Sequence, residues 1–355
     1  MQRWPAPRVL PPVLLASEHG KDALRAAARR GSVVRVARGA YVARPAGDAW
    51  ERETALAMGR IAAAGHRLGD PVFSHITAAM LHGCWSVPGD GLVHIVSSTR
   101  PHNGTPGLLR HRADPGDDVV RLPSGVWVTS LPRTLLDCAA LLAPRWGLVV
   151  ADSAMRALAR PDRFARSASQ RRLDAVAGEI RERVRELGGH RFVVRQRAVV
   201  DAMNGWSESP GESSLRWVAL AGGAPPPECQ YEVEVGDRLN FVDLAWERAA
   251  RGGGGRRPVI GEEYDGREKY AAPGSADPLD PLIEEKRRED DLRRLGIELR
   301  RRDARDLRRP ARLFADLRSR FEPEVAARFR PVPGLMPLDQ APTGGLSSGE
   351  VGGWR

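Results

Sequence analysis

Lysine is almost missing from this chain. Of 55 basic side chains only Lys21, Lys269 and Lys286 are lysines; the rest are arginines. Any chemistry that needs an amine able to shed its proton rests on those three positions, because a guanidinium stays charged. Cysteine is equally scarce. Cys84, Cys138 and Cys229 lie far apart and lack ligand spacing, which excludes a disulfide scaffold and reads as small apolar core residues in a reducing compartment. No run of about 18 apolar residues occurs, so no membrane span is expected. The apolar stretch between Met1 and Ala16 is short and broken by proline, unlike a secretory signal, and the cytoplasm is the expected location.

What the chain has instead is positive charge. Its 355 residues carry a formal net charge of +10, with a sequence pI near 10.4. That balance points to a polyanionic partner, nucleic acid before an acidic small molecule. The plainer reading of the arginines is the codon usage of a high-GC genome. The length is enough for two domains with cores of their own.

The segment from 239 to 301 concentrates the chemistry. Asp243 sits inside the apolar run Phe241-Val-Asp-Leu-Ala-Trp246, and Glu263 and Asp265 lie on the next strand-like run. Carboxylates at i and i+2 of a strand share a face. If the two runs pair, three acids converge, and an oxygen-seeking divalent cation is the usual compensation. Asp243, Glu263 and Asp265 are therefore the candidate metal ligands and Mg²⁺ the expected cofactor. Glu212 contributes from the preceding helix, and Lys269 or Lys286 is the candidate water-positioning cation. Plainer roles compete at each position. Asp243 or Glu263 pairs with an arginine, Arg267 or Arg301 for the latter. Asp265 makes an Asp-Gly turn with Gly266. Glu212 completes a capping box with Ser209 or pairs with Arg216. Lys286 pairs with Asp290 on a solvated helix. His75 and His82, seven apart on one helix face, read as packing histidines with no third ligand in view.

The chain divides by pattern. In residues 9–45, a helix from Asp22 to Arg30 is stopped by Gly31, and an alternating ribbon turns at Arg38-Gly39. This is the outline of a winged helix-turn-helix. Arg25, Arg29, Arg30, Arg35 and Arg38 are its candidate DNA contacts, against a solvated Arg-rich face as the alternative. Residues 46–162 read as mixed α/β. Residues 163–206 read as a helical, Arg-rich linker, either tracking phosphates or laced with pairs such as Glu179 with Arg183. Residues 207–320 read as an α/β domain, with a flexible Gly/Arg insert at 251–257. Residues 331–355 are rich in Pro, Gly and Ser and are expected to be disordered.

Two sets of motifs resemble known families. Arg35-Val-Ala-Arg-Gly-Ala-Tyr41, Ser74-His-Ile-Thr-Ala-Ala-Met-Leu-His-Gly83, Val128-Thr-Ser-Leu-Pro-Arg-Thr-Leu-Leu-Asp137 and Val150-Ala-Asp-Ser-Ala-Met155 resemble AbiEi-type antitoxins and transcriptional regulators. Ser209-Pro-Gly-Glu-Ser213, Leu215-Arg216, 225–230, Val242-Asp-Leu-Ala-Trp246, 261–270 and Glu285-Lys-Arg-Arg-Glu-Asp290 resemble the restriction-endonuclease-like domains related to very-short-patch repair endonucleases. The resemblance implies an α+β winged helix-turn-helix half and a C-terminal α/β/α core of the PD-(D/E)xK type. It implies DNA as partner, a cognate toxin for the antitoxin-like half, and either Mg²⁺-dependent cleavage of DNA or a catalytically inert nuclease-like domain. Asp243 and Glu263 fit the first two places of that pattern. Asp265 stands where the pattern has lysine, which weakens the case for catalysis.

Overall fold

A computed structural model describes residues 4–85, 91–98, 105–187, 192–236, 238–248, 258–266 and 280–336. The architecture is mixed α+β, built on three sheets among the described residues. The chain divides after Leu141 into two compact units, inside the 46–162 region that the sequence pattern treats as one.

The first unit begins with β1 (Leu14–Leu15), α1 (Ala16–His19), α2 (Lys21–Arg29), β2 (Val33–Ala37) and β3 (Ala40–Ala43). The three strands form an antiparallel sheet in the order β1-β3-β2. Leu24 of α2 packs on Val33 and Tyr41, the apolar face that the periodicity foretells. Gly31, at φ +79°, ends the helix, a left-handed turn that glycine adopts without strain. Arg25, Arg29, Arg30, Arg35 and Arg38 are all exposed.

Then follow α3 (Ala49–Leu68), β4 (Val72–Phe73), α4 (His75–Leu81), β5 (Val93–Ser97), β6 (Leu108–Arg112), β7 (Val119–Arg121), β8 (Trp127–Thr129) and α5 (Leu131–Leu141). Asp48 and Glu51 close a reciprocal capping box at the start of α3, which satisfies two of the helix's open N–H groups. The sheet order is β6-β5-β4-β8-β7. Its core is Met58, Ile61, Phe73, Met80, Leu81, Ile95 and Val128. His75 and His82 are both buried, as packing histidines would be, but they have different partners. His82 Nε2 lies 2.8 Å from the Thr129 carbonyl, whereas His75 lies against His94 and His111. Sequence spacing could not show this, since the three rings come from three elements.

The second unit opens with α6 (Pro144–Ala159), α7 (Arg166–Glu186) and α8 (Val193–Ala202). α7 buries Leu173, Ala177, Ile180 and Val184 along one side, and Arg172 donates to the Ala159 carbonyl at 2.8 Å. The segment expected as a linker is thus a packed part of this unit, because that apolar stripe needs cover. Next come α9 (Pro210–Ala221), β9 (Glu228–Val235), β10 (Arg238–Glu247), β11 (Val259–Tyr264), α10 (Asp280–Arg294), β12 (Ile297–Arg302), α11 (Pro310–Ser319) and α12 (Pro323–Ala326). The sheet order is β12-β11-β10-β9. β9, β10 and β11 form an antiparallel meander, and β12 returns parallel to β11 after α10. Val233, Val242, Ala245, Val259, Leu292 and Ile297 form its core.

The expected disorder from 331 onward is corrected for 331–336. Val332 N donates to the Ala221 carbonyl at 3.0 Å. Trp217 Nε1 donates to the Leu335 carbonyl at 3.0 Å, and Leu335 is buried. One leucine and one indole partner suffice to anchor a proline-rich segment. Residues 337–355, the rest of that tail, lie outside the described residues, as does the insert at 251–257.

Candidate functional site

β9, β10 and β11 set one polar row across their sheet. Val242 faces Tyr231 and Leu244 faces Cys229, so Asp243 stands opposite Gln230. Leu244 faces Glu262, and one step further Asp243 stands opposite Glu263. Opposed residues project to the same face, so Gln230, Asp243 and Glu263 are neighbours in a line. The backbone N–H of Tyr264 donates to Asp243 Oδ2 at 2.8 Å, which fixes that carboxylate at the end of β11.

Gln230 holds φ at +51°, a left-handed conformation that costs a side-chain-bearing residue roughly 1–2 kcal/mol. Its side chain is engaged at both ends of the amide. Nε2 donates to Glu212 Oε2 at 3.1 Å and Oε1 accepts from Arg163 at 3.2 Å. The Gln230 carbonyl accepts from Arg166 at 3.0 Å.

Glu212 reaches the row from α9. Ser209 Oγ accepts from the Glu212 N–H at 3.1 Å, and Pro210 follows at the first helical position. The capping box is only half present. The Glu212 carboxylate accepts from the Glu208 N–H at 2.7 Å, one residue beyond the position that the motif needs. Pairing with Arg216 is also corrected. Arg216 grips Asp152 through both carboxylate oxygens, at 2.5 and 2.6 Å, with both side chains buried. A β-carbon on Gly211 would lie 2.1 Å from the Tyr264 ring. The missing side chain is what lets the start of α9 approach the end of β11 and brings Glu212 beside Asp243. Burial, and then the Asp243 charge, push the Glu212 carboxyl up to about 8, against the opposing hydrogen bonds from Glu208 and Ser209. A buried acid driven toward its neutral form by a second acid marks a place that a cation would stabilise.

Arginine enters from α10. Arg288 forks Glu263, with Nη1 at 3.2 Å from Oε2 and Nη2 on Oε1, and donates to the Phe241 carbonyl at 3.0 Å. Burial works against its charge, but the Glu263 and Asp243 carboxylates outweigh it and hold the guanidinium more firmly protonated. Arg301 adds a longer approach to Glu263 at 3.7 Å. Lys286 is exposed. It sits two residues before Arg288, about 200° around the helix, so α10 turns Arg288 and not Lys286 toward the row. Lys269 lies outside the described residues. Asp265 is half-buried just past the strand end, its N–H donating to the Arg302 carbonyl at 2.8 Å.

The other face of β11 is structural. Glu262 is fully buried and bonded by Arg302 at 2.6 and 3.0 Å, with Arg320 also on its carboxylate. Arg302 and Arg320 further engage Asp316 and Glu298, so Arg302 is committed to the fold and not open to a ligand.

The donor set suits a hard cation in kind: carboxylates from neighbouring elements. Among the described residues no three acids bring one oxygen each within 4.8 Å of one another; the group that meets this spacing is His75, His94 and His111. Mg²⁺ does not need three, because it takes one or two carboxylates and keeps several waters. Asp243 and Glu263 offer two carboxylates of that kind, the first taking the Tyr264 N–H and the second held by Arg288.

No family model matches the chain. It is similar to two Mycobacterium tuberculosis proteins, uncharacterized protein MT2308 (strain CDC 1551 / Oshkosh) and uncharacterized protein Rv2248 (strain ATCC 25618 / H37Rv). Each is 28% identical over 270 residues, covering 76% of this chain and 84% of the relative.

Proposed function

We propose that this chain is a DNA-binding protein whose second unit is a restriction-endonuclease-like, Mg²⁺-dependent phosphodiesterase. The observation that carries the reading is the row set by the strand register, Asp243 on β10 opposite Glu263 on β11, with Glu212 of α9 near enough that burial and then the Asp243 charge favour its neutral form. The four-stranded sheet with helices before and within it, from α9 to β12, is consistent with the α/β/α core that the resemblance implies. Asp243 and Glu263 would hold the ion, with Glu212 completing its surroundings. The ion, when bound, supplies Lewis-acid polarisation of the phosphate and a more acidic water. Gln230 orients Glu212 through its amide. Arg301 offers a planar donor to phosphate oxygens. The exposed arginines of α2 and β2–β3 support a winged-helix reading of the first unit, with phosphates as their partners.

A second reading has its own observation. Arg288 occupies Glu263, and Asp265 stands in the lysine place, as expected of an inert core retained for docking. In that case the chain is an AbiEi-like regulator or antitoxin with a cognate toxin, and it binds its own promoter without metal. Supercoiled plasmid with Mg²⁺ separates the two. The enzyme reading expects nicking by the wild type and none by Asp243→Ala and Glu263→Ala. Equal nicking by all three, or by none, removes it. A promoter footprint retained in a chelator then supports the regulator, and the absence of one counts against it.

A further inference from the structure

Three histidines, separated from one another in sequence, meet in the first unit. His94 lies on β5 and His111 on β6. The parallel register sets His94 against Leu109 and Val96 against His111, so the two rings rise from one face of the sheet. His75 is the first residue of α4, which packs on β5. All three residues are buried, at 5%, 1% and 8% exposure for His75, His94 and His111. His111 Nε2 lies 3.0 Å from His94 Nδ1. The His75 and His111 rings stack with centroids 3.5 Å apart and planes 17° from parallel. One ring nitrogen of each residue lies within 4.8 Å of the other two.

Packing does not account for this cluster. An interior position is filled at lower cost by apolar side chains, since each buried ring nitrogen has to find a partner. The backbone is also bent to the purpose. His75 has φ +52°, where a residue with a β-carbon is strained, and such strain concentrates at functional positions. The cluster is braced on both sides. Ser74 N–H donates to the His94 carbonyl at 3.0 Å, and Thr77 Oγ1 accepts from the His94 N–H at 2.9 Å, which locks α4 to β5. His75 Nδ1 lies 3.0 Å from Ser74 Oγ and 3.9 Å from Asp137 Oδ2, and Asp137 is itself held by Arg133 at 2.9 Å. Occupying one imidazole nitrogen with a hydroxyl and a carboxylate is how proteins aim the other nitrogen at a metal.

We propose that His75, His94 and His111 form a three-histidine site for a divalent ion of the zinc class, which bridges the start of α4 and strands β5 and β6. Three imidazoles suit Zn²⁺ and its borderline neighbours and disfavour Mg²⁺, which seeks oxygen. The site therefore differs from the carboxylate row of the second unit in its chemistry. Metal bonds lie in the plane of each ring, so entry of the ion turns His75 and His111 out of their stack.

The test is titration of the metal-depleted, full-length chain with Co²⁺, read by visible d–d absorption. One equivalent should bind with the intense bands of a low-coordinate site. Zn²⁺ should displace it, and excess Mg²⁺ should not. Thermal melts should rise on adding Zn²⁺. His94→Asn and His111→Asn, checked for folding by circular dichroism, should each weaken Co²⁺ binding beyond the ~10–100-fold cost of losing an outer-shell partner. X-ray absorption on Co²⁺-loaded wild type needs no variant and should show three imidazole nitrogens. An absence of d–d bands, bands unchanged in folded variants, or a shell made only of oxygen would overturn the assignment.

Discussion

Arg288 holds Glu263 in a fork, with 3.2 Å from Nη1 to Oε2 along one arm, and this grip decides how open the carboxylate row is. Replacing Arg288 with alanine removes a partly buried ion pair and costs roughly 1–3 kcal/mol of stability. It also releases Glu263. The expected outcome is a lower melting temperature in a chelator, together with a larger upward shift on adding Mg²⁺ than the wild type shows. A variant whose Mg²⁺ shift is no greater than the wild type's would mean that Arg288 does not compete with an ion.

Glu212 makes stability depend on pH in a defined direction. Its carboxyl is pushed from an ordinary 4.5 up to about 8 in the folded chain. Between those values the folded state keeps a proton that the unfolded state has lost, so stability falls as pH rises through this window, at no more than about 1.4 kcal/mol per unit. Glu212→Gln removes that slope. In metal-free buffer the variant's gain in melting temperature over wild type should widen from pH 5 to pH 8. A constant difference across the range would contradict the assignment.

Gln230 separates conformation from chemistry. At φ +51°, glycine should be favoured over alanine by about 1 kcal/mol, since only alanine meets the left-handed penalty. Gln230→Gly should therefore unfold at higher urea than Gln230→Ala, while neither can keep the hydrogen bond to Glu212. Equal midpoints would argue against the strained backbone.

Asp152 and Arg216 form a buried pair, with Asp152 also accepting from the Asn204 N–H at 2.7 Å. Arg216→Ala leaves an uncompensated buried carboxylate and should cost roughly 3–5 kcal/mol. Chemical denaturation measures this directly. A drop in stability below ~1 kcal/mol would show that the pair is dispensable.

The exposed arginines of the first unit make a salt-dependent prediction. If they lead the approach to DNA, binding should weaken steeply with salt. Arg29→Ala combined with Arg38→Ala should lower affinity and make the log–log slope shallower by about one for each phosphate no longer neutralised. An affinity insensitive to salt would remove the phosphate-led interface.

Much of the second unit is legible in the sequence because its signals are local. Alternation places the strands, and acids inside apolar runs mark Asp243 and Glu263. Ser209-Pro210 marks the start of α9. What stays hidden depends on partners distant in sequence. Lys286 stands out as a rare amine, but helix phase exposes it and delivers Arg288 instead. Gln230 carries no local mark, since its role comes from a backbone conformation and from Glu212 in another element. The capture of Arg216 by Asp152 likewise depends on how α6 packs on α9. His75, His94 and His111 share no motif spacing, and only the parallel pairing of β5 with β6 beside α4 gathers them.

Glu262 and Glu263 are consecutive in the chain yet live on opposite sides of one sheet, the first sealed among arginines and the second facing the acidic row. Their division of labour therefore rests on strand parity. A single-residue insertion or deletion in β11 would exchange them, thrusting one acid into the arginine cage and turning the caged one outward. Such an indel should be far more damaging than any point substitution at either glutamate, because it disarms the pocket and dismantles its foundation together.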